Sequence, residues 1–156
     1  MCITIHEADK IEITTLQDNY IELSAGDNTD IIQRARPLKG LEMKNSILAE
    51  HGFSSLVTIT SGKMSRTILF DFGFSEHGAA YNADVLDIDL TSVEVMALSH
   101  GHLDHVGGLE QLSRRVKKKN VELVLHPSAF KTPRYVKVSE ELKIFFPPFT
   151  REKALA

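Results

Sequence analysis

Residues 99–105 of this chain read SHGHLDH, and this stretch decides how the rest of the sequence is interpreted. It places three imidazoles and one carboxylate within residues 100–105, directly after the mostly apolar run VEVMAL at residues 93–98. We predict that this run is a short strand buried on both faces, because apolar residues dominate it. The imidazoles and the carboxylate therefore lie together where a buried strand ends.

The spacing of these polar residues is typical of a metal site. In an extended segment, residues two apart point to the same side, so His100 and His102 can reach one ion together. Asp104 and His105 follow as the chain turns toward a helix that we predict to start near Gly108. Imidazole with carboxylate suits zinc, manganese or iron, and such an ion lowers the pKa of its water to about 7 and supplies a hydroxide nucleophile. A histidine-rich surface loop without an ion is the alternative, but H-x-H-x-D-H after a strand favours the metal site.

Patterns of apolar and turn-forming residues predict the other elements. Alternating apolar and polar residues predict strands, and apolar residues on one helical face predict helices. Strands come first and are followed by helix, strand, helix and strand, which indicates an α/β sheet with helices packed on it. The predicted strands are residues 10–16, a hairpin of 53–60 with 67–70, a second buried strand at 121–125, and two further strands at 134–138 and 142–146. The predicted helices are residues 76–86 and 108–119, the second with Leu109, Leu112 and Val116 on one face. Residues 24–40 are predicted to form a long loop with one helical turn, and Pro147-Pro148 is expected to end the structured part.

Size, charge and cysteine content exclude several classes of protein. A chain of 156 residues with 42% hydrophobic and 25% charged residues suits one globular domain. Its net charge of -3 gives no reason to expect a nucleic acid or a membrane surface as a partner. Cys2 is the only cysteine, so no intrachain disulfide is expected. The N-terminus lacks a signal-peptide pattern and no run approaches about 18 apolar residues, so we expect a cytoplasmic protein.

Several motifs resemble those of a known family. Residues 100–109, HGHLDHVGGL, resemble the signature of the metallo-β-lactamase superfamily, and residues 67–73, TILFDFG, resemble its strand that ends in Asp-x-Gly. Three further pieces resemble a branch often labelled dihydropterin-yl-methyl-aminobenzene ribofuranosyl phosphate synthase-like. They are DNY at residues 18–20, EHGFS at 50–54 and HPSAF at 126–130.

The resemblance implies a fold and a set of site residues. The fold is an α/β structure, an αββα sandwich of two similar halves, of which this chain resembles the N-terminal half. His100 and His102 would bind the first metal, and Asp104 and His105 the second, with Asp104 also positioning the attacking hydroxide as the catalytic residue. Two zinc ions are expected, with manganese or iron as alternatives. The residues expected beside the site, as ligand-orienting groups or substrate contacts, are Asp71, His51, Asn19 and His126; for the last three a local structural role is the alternative.

The chain also departs from the family pattern. Members are usually nearer twice this length, and their second half supplies further ligands, whereas no histidine follows His126 here. We therefore expect residues 1–156 to form a single metallo-β-lactamase-like domain that is C-terminally truncated relative to the family. A homodimer, or a separate C-terminal partner chain, would then complete the site.

Three functional hypotheses remain open. The first is a metal-dependent hydrolase that uses a metal-bound hydroxide on an ester, amide or phosphoester of a small molecule. The second is a truncated, non-catalytic half-domain that binds metal weakly or needs a partner chain. The third is an iron-dependent oxidoreductase on the same fold; the flavodiiron pattern resembles H-x-E-x-D-H, so an imidazole at His102 favours hydrolysis.

Overall fold

The computed structural model describes residues 5–43 and 45–155, and the only cysteine, Cys2, lies outside them. A central sheet of five strands is covered on one side by helices, and two small ribbons lie beside it. In chain order the elements are β1 (Lys10–Gln17), β2 (Leu38–Lys39), β3 (Glu42–Met43), β4 (Ser54–Ser61), β5 (Met64–Phe70), α1 (Gly78–Val85), β6 (Val93–Leu98), α2 (Leu103–Val106), α3 (Leu109–Val116), β7 (Glu122–Leu125), β8 (Tyr135–Lys137), β9 (Lys143–Phe145) and α4 (Arg151–Leu155), with single 3₁₀ turns at Leu90–Ser92 and Pro127–Phe130.

The strand order of the central sheet is β1-β4-β5-β6-β7. Antiparallel pairing joins β1 to β4 and β4 to β5, which confirms the predicted hairpin, and parallel pairing joins β5 to β6 and β6 to β7. The three parallel strands end at the same edge of the sheet. Asp71 after β5, Ser99 after β6 and His126 after β7 therefore all follow that edge, where α/β sheets commonly carry their binding sites.

One face of the sheet and two helices form the hydrophobic core. Leu69 of β5 and Met96 of β6 are at most 1% exposed and belong to the same buried cluster as the apolar residues of α1 and α3. The apolar face predicted for the second helix is confirmed, because α3 buries Leu109, Leu112 and Val116. Within the described residues, no helix is long and apolar enough to span a membrane.

The opposite face of the sheet is apolar but not fully buried. Its central row crosses four strands through the register partners Ile13, Val57, Ile68 and Val95. Ile13 is 66% exposed, and the other three are half-buried. The prediction that β6 is buried on both faces is therefore wrong. The second predicted buried strand, β7, is an edge strand with Val124 49% exposed.

The structure differs from the sequence-based expectation at three further places. Residues 24–40 contain no helical turn, and their last part enters β2. The helix predicted from near Gly108 is α3, which begins at Leu109, but a separate helix, α2, precedes it. The sequence does not predict α2, because four residues are too few to show a helical period. The structured part also continues past Pro147-Pro148, since Phe149 stacks on Phe130 with ring centroids 5.2 Å apart and α4 follows.

Candidate metal centre

Segments after two neighbouring strands bring the predicted ligands together. Asp71 follows β5, and its backbone N–H donates to the Ala97 carbonyl oxygen at 2.9 Å, which ties it to β6. The turn after β6 carries His100 and His102, and α2 carries the next two predicted ligands. All four predicted ligands therefore follow the β6 strand directly, at the edge where the parallel strands end.

The donor atoms form two pairs. The Nε2 atom of His100 lies 3.0 Å from Nδ1 of His102, and Nε2 of His105 lies 3.4 Å from Oδ2 of Asp104. Two ligands at tetrahedral Zn–N distances of about 2.0–2.1 Å lie about 3.3 Å apart, so both separations are within about 0.3 Å of the one that a shared ion requires. Donor atoms of His100, Asp104 and His105 lie within 4.8 Å of one another. The side chains present therefore fit a divalent metal.

Asp71 lies beneath the ligands and is only 1% exposed. Its Oδ2 atom lies 2.6 Å from Nδ1 of His105 and 2.7 Å from Oγ of Ser99, and its Oδ1 atom accepts the Ser99 backbone N–H at 2.8 Å. Its backbone is left-handed, with φ of 54°, a conformation that Asp adopts more readily than most residues. A hydrogen bond from the Ser54 hydroxyl to the Asp71 carbonyl oxygen, at 2.8 Å, helps to hold that conformation.

The three imidazoles crowd one another. Although His100 is exposed, the centroid of its ring lies 4.1 Å from that of His105 and 4.6 Å from that of His102. Partial loss of hydration, followed by repulsion from a positive charge on His105 or His102, lowers the pKa of His100 below its ordinary value, and the carboxylates of Asp71 and Asp104 oppose this shift. A neutral ring is the form that a metal ion needs.

Backbone hydrogen bonds fasten α2 to the loop that follows β5. The Phe72 N–H donates to the His105 carbonyl oxygen at 2.9 Å, and the Gly107 N–H donates to the Gly73 carbonyl oxygen at 2.9 Å. A helix of four residues has no stability of its own. The positions of Asp104 and His105 on α2 therefore depend on these contacts.

Glycines allow this close approach. A Cβ atom at Gly107 would overlap the carbonyl oxygen of Phe74, and a Cβ atom at Gly101 would overlap the carbonyl oxygen of Ala129. Both obstacles are backbone atoms, which cannot rotate aside as a side chain can. The ligand segment thus passes between two fixed pieces of backbone.

Two residues predicted to lie beside the site, His51 and Asn19, are found near Asp104. Nε2 of His51 lies 3.3 Å from Oδ2 of Asp104, and the His51 side chain is 73% exposed. Asn19 acts on the loop that carries His51, because its Oδ1 accepts the Gly52 backbone N–H at 3.1 Å. The same loop reaches α2 through a hydrogen bond from the Phe53 N–H to the Asp104 carbonyl oxygen at 3.3 Å.

His126 has a local structural role. Its Nδ1 accepts the Ser128 backbone N–H at 3.2 Å and so caps the 3₁₀ turn Pro127–Phe130. Capping was one of the two roles left open for His126 by the sequence. Among the described residues, the cluster of mutually close donor atoms is formed by His100, Asp104 and His105; it contains neither His126 nor His51, and His102 adjoins it only through its 3.0 Å approach to His100.

Sequence reasoning missed Ser99 as a member of this site. Its hydroxyl lies 2.7 Å from Oδ2 of Asp71 and 2.9 Å from Nδ1 of His100, so it joins the buried carboxylate to a ligand ring. The only signal in the sequence is its position directly before His100. A serine after a strand is too common for that position to single it out.

Comparison with known proteins identifies the class. A family model described as the metallo-beta-lactamase superfamily matches residues 49–154. The chain therefore belongs to the metallo-beta-lactamase superfamily. The comparison confirms the resemblance that the motifs indicated.

Two relatives come from Methanocaldococcus jannaschii. The chain is 29% identical over 131 residues to a 7,8-dihydropterin-6-methyl-4-(beta-D-ribofuranosyl)-aminobenzene-5'-phosphate synthase. The aligned region covers 84% of this chain and 37% of the relative. It is 31% identical over 99 residues to an uncharacterized protein, and the aligned region covers 61% of this chain and 36% of that relative. The chain thus spans a little over a third of the length of these relatives.

Solved structures of metallo-beta-lactamases are also similar. Rm3 metallo-beta-lactamase is 29% identical, with 64% of this chain and 38% of that chain covered and a TM-score of 0.39. The subclass B3 enzyme MEM-A1, isolated from a soil metagenome library, is 26% identical, with 63% and 38% covered and a TM-score of 0.36.

Proposed function

We propose that this chain carries the ligand segment of a metal-dependent hydrolase that acts on an ester, amide or phosphoester of a small molecule. One observation carries the proposal, namely the two donor pairs His100 with His102 and Asp104 with His105, separated by 3.0 Å and 3.4 Å. These nitrogen and oxygen donors favour zinc, and manganese or iron are alternatives. Membership of the superfamily supports the same class of chemistry.

The residues of the chain divide the work between binding and orientation. Divalent ions, one held by each pair, would supply a Lewis acid and a water of pKa about 7. Asp71 holds His105 through its Nδ1 atom and leaves Nε2 directed toward Asp104. His51 contacts the outer side of Asp104 and, being 73% exposed, is placed to meet a substrate. His100 and His102 are both exposed, so water can reach the donors.

The first curated relative is named a synthase, so its reaction is a second candidate. Its 29% identity over 84% of this chain is the observation that favours it. We place hydrolysis first because the metal-binding residues His100 and His102 are exposed to solvent, so water has direct access to a metal bound there and can act as the second substrate. An iron-dependent oxidation is the third candidate, and the identity of the bound metal separates it from the other two.

Metal content tests the proposal directly. Protein purified without a nickel column is expected to retain zinc, manganese or iron, measured by plasma mass spectrometry. His100→Ala is expected to lose at least half of that metal, because it removes one member of the first pair and a ring packed on His105. Hydrolysis of p-nitrophenyl esters and phosphodiesters is expected to fall about 100-fold or more in the same variant.

His77→Ala is the matched control, since His77 is exposed and lies next to the start of α1. It is expected to keep both metal and activity. Wild-type protein that binds no metal, even after zinc is added, would rule out the proposed function. Equal losses in the two variants would rule out the assigned ligands.

We also propose that a second copy of this chain covers the open face of the sheet. The molecule exposes 11072 Å², whereas a compact monomer of its mass, 17.4 kDa, exposes about 7,900 Å². The excess of roughly 3,000 Å² includes exposed loop residues such as Ile31 and Leu41 as well as the sheet face, where Ile11 and Ile13 are 60% and 66% exposed. A standard interface buries approximately 800 Å² on each partner. A two-fold dimer brings the same apolar row from both copies together, which is the self-complementary contact such a face can make.

Light scattering tests this pairing. We expect wild-type protein to have twice the monomer mass, and Ile13→Glu to shift it toward monomer, because a buried charge would face the partner. Leu41→Glu is the control, because Leu41 is fully exposed in the β2–β3 turn and away from the apolar row. A monomeric wild-type protein at 100 μM, or the same dimer in Ile13→Glu, would contradict the proposal; binding of a different chain would appear as a mixed complex.

A further inference from the structure

We propose that Ser99 is a positioning residue that sets the tautomer and orientation of His100, by linking its Nδ1 atom to the buried carboxylate of Asp71. The inference rests on the proposed metal centre and deepens it. Ser99 itself is not one of the four proposed metal ligands. One carboxylate, that of Asp71, thereby prepares both pairs for metal.

The direction of the hydrogen bonds follows from which groups carry a proton. The Asp71 carboxylate can only accept, so the Ser99 hydroxyl donates to Oδ2 at 2.7 Å. The serine oxygen then has only lone pairs left for His100, and Nδ1 of that ring, 2.9 Å away, must be the donor. A neutral imidazole with its proton on Nδ1 has a free lone pair on Nε2. That atom is the one that lies 3.0 Å from Nδ1 of His102.

The same carboxylate acts on the second pair without an intermediary. Nδ1 of His105 donates to Oδ2 of Asp71 at 2.6 Å, which leaves the lone pair of its Nε2 atom directed toward Asp104. Asp71 thus reaches one ring directly and the other through Ser99. The two ligand pairs therefore depend on Asp71 by different routes, and only the first depends on the serine hydroxyl.

A single substitution separates these routes. The backbone N–H of Ser99 donates to Oδ1 of Asp71 at 2.8 Å, and this bond does not involve the hydroxyl. Ser99→Ala therefore removes the link to His100 and keeps the loop anchored. Ser99→Thr keeps the hydroxyl and is the conservative variant. Ser113→Ala is the matched control, because the Ser113 hydroxyl bonds only the Glu110 carbonyl oxygen within α3.

Nitrogen-15 NMR of the imidazoles in metal-free protein at pH 7.5 reads the tautomer directly. In the wild type and in Ser99→Thr we expect His100 to carry its proton on Nδ1. In Ser99→Ala we expect the signals to move toward the Nε2–H form or the fast-exchange average, with His105 unchanged. His100 that keeps its proton on Nδ1 in Ser99→Ala would overturn the inference.

Metal affinity gives the second readout. Competition with a chelator is expected to show about a 10–100-fold weaker first ion in Ser99→Ala, as is usual when a group that orients a metal ligand is removed. Ser99→Thr and Ser113→Ala are expected to bind like the wild type. Equal weakening in Ser99→Thr and Ser99→Ala would contradict the inference, because the hydroxyl would then not be the cause. Wild-type protein without metal affinity would refute the proposed function, while the NMR result would still decide the tautomer.

Discussion

Replacing Gly107 by alanine is expected to lower the free energy of unfolding by about 3 kcal/mol and to abolish most of the metal binding. Gly107 has ordinary helical dihedral angles, with φ of −59° and ψ of −42°, so the alanine backbone itself is not disfavoured. The new methyl group would overlap the carbonyl oxygen of Phe74. Because that oxygen is backbone, relief requires α2 to move away from the loop after β5, and Asp104 and His105 would move with it. Urea unfolding and metal content measure the two effects.

Gly26→Ala is the control for this substitution. A Cβ atom at Gly26 meets open space, and its φ is not in the left-handed region. The exchange is expected to change the free energy of unfolding by less than about 1 kcal/mol, in the stabilising direction if at all. Similar urea midpoints for the two variants would show that the contact at Gly107 is not as tight as the structure has it.

Asp71→Asn is expected to be the most damaging exchange of a single polar group. Asparagine tolerates the left-handed backbone at this position, so the change acts on the side-chain hydrogen bonds alone. An amide NH₂ in place of Oδ2 would face two donors, Nδ1 of His105 and the Ser99 hydroxyl. Because the site is buried, we expect a loss of about 3 kcal/mol or more in the free energy of unfolding. Metal affinity should fall at least about 10–100-fold for both ions.

Asp84→Asn provides the comparison. Asp84 pairs with Arg115 at 2.7 Å on the surface, and such pairs contribute about 0–1 kcal/mol. Its metal affinity is expected to equal that of the wild type. If Asp71→Asn unfolded at the same urea concentration as Asp84→Asn and kept its metal, Asp71 would have no part in holding the ligands.

The sequence predicts the elements whose residues follow a regular local pattern. The hairpin of β4 and β5 follows from two runs with strand patterns around Gly62, and α3 follows from three apolar residues on one face. Local patterning also places the H-x-H-x-D-H cluster directly after a strand. Each of these features depends on neighbours within about ten residues, which a single sequence contains in full.

Features that depend on distant residues could not be predicted. The apolar residues of β6 predict a strand buried on both faces, yet Val95 is only half-buried. Whether a second layer covers that face depends on other parts of the protein, and the six residues of β6 contain no information about them. Phe149 is 5% exposed, and Phe130, 19 positions earlier, stacks on it. The role of Ser99 depends on Asp71, which directly follows another strand, β5, and comes close because β5 and β6 pair in parallel.

The way α2 is held has a consequence for how this site can change over evolutionary time. Apart from the contact of His105 with Asp71, the hydrogen bonds that hold α2 against the neighbouring loops join backbone N–H and carbonyl groups, and the closest approach is at a glycine, which has no side chain to vary. Two side chains of those loops are accessible at the rim: Phe74 is 38% exposed, and His51 is 73% exposed and touches α2 only at the outer side of Asp104. Substitutions there can reshape what the centre admits while leaving its donor atoms in place, so new specificities are accessible without rebuilding the chemistry.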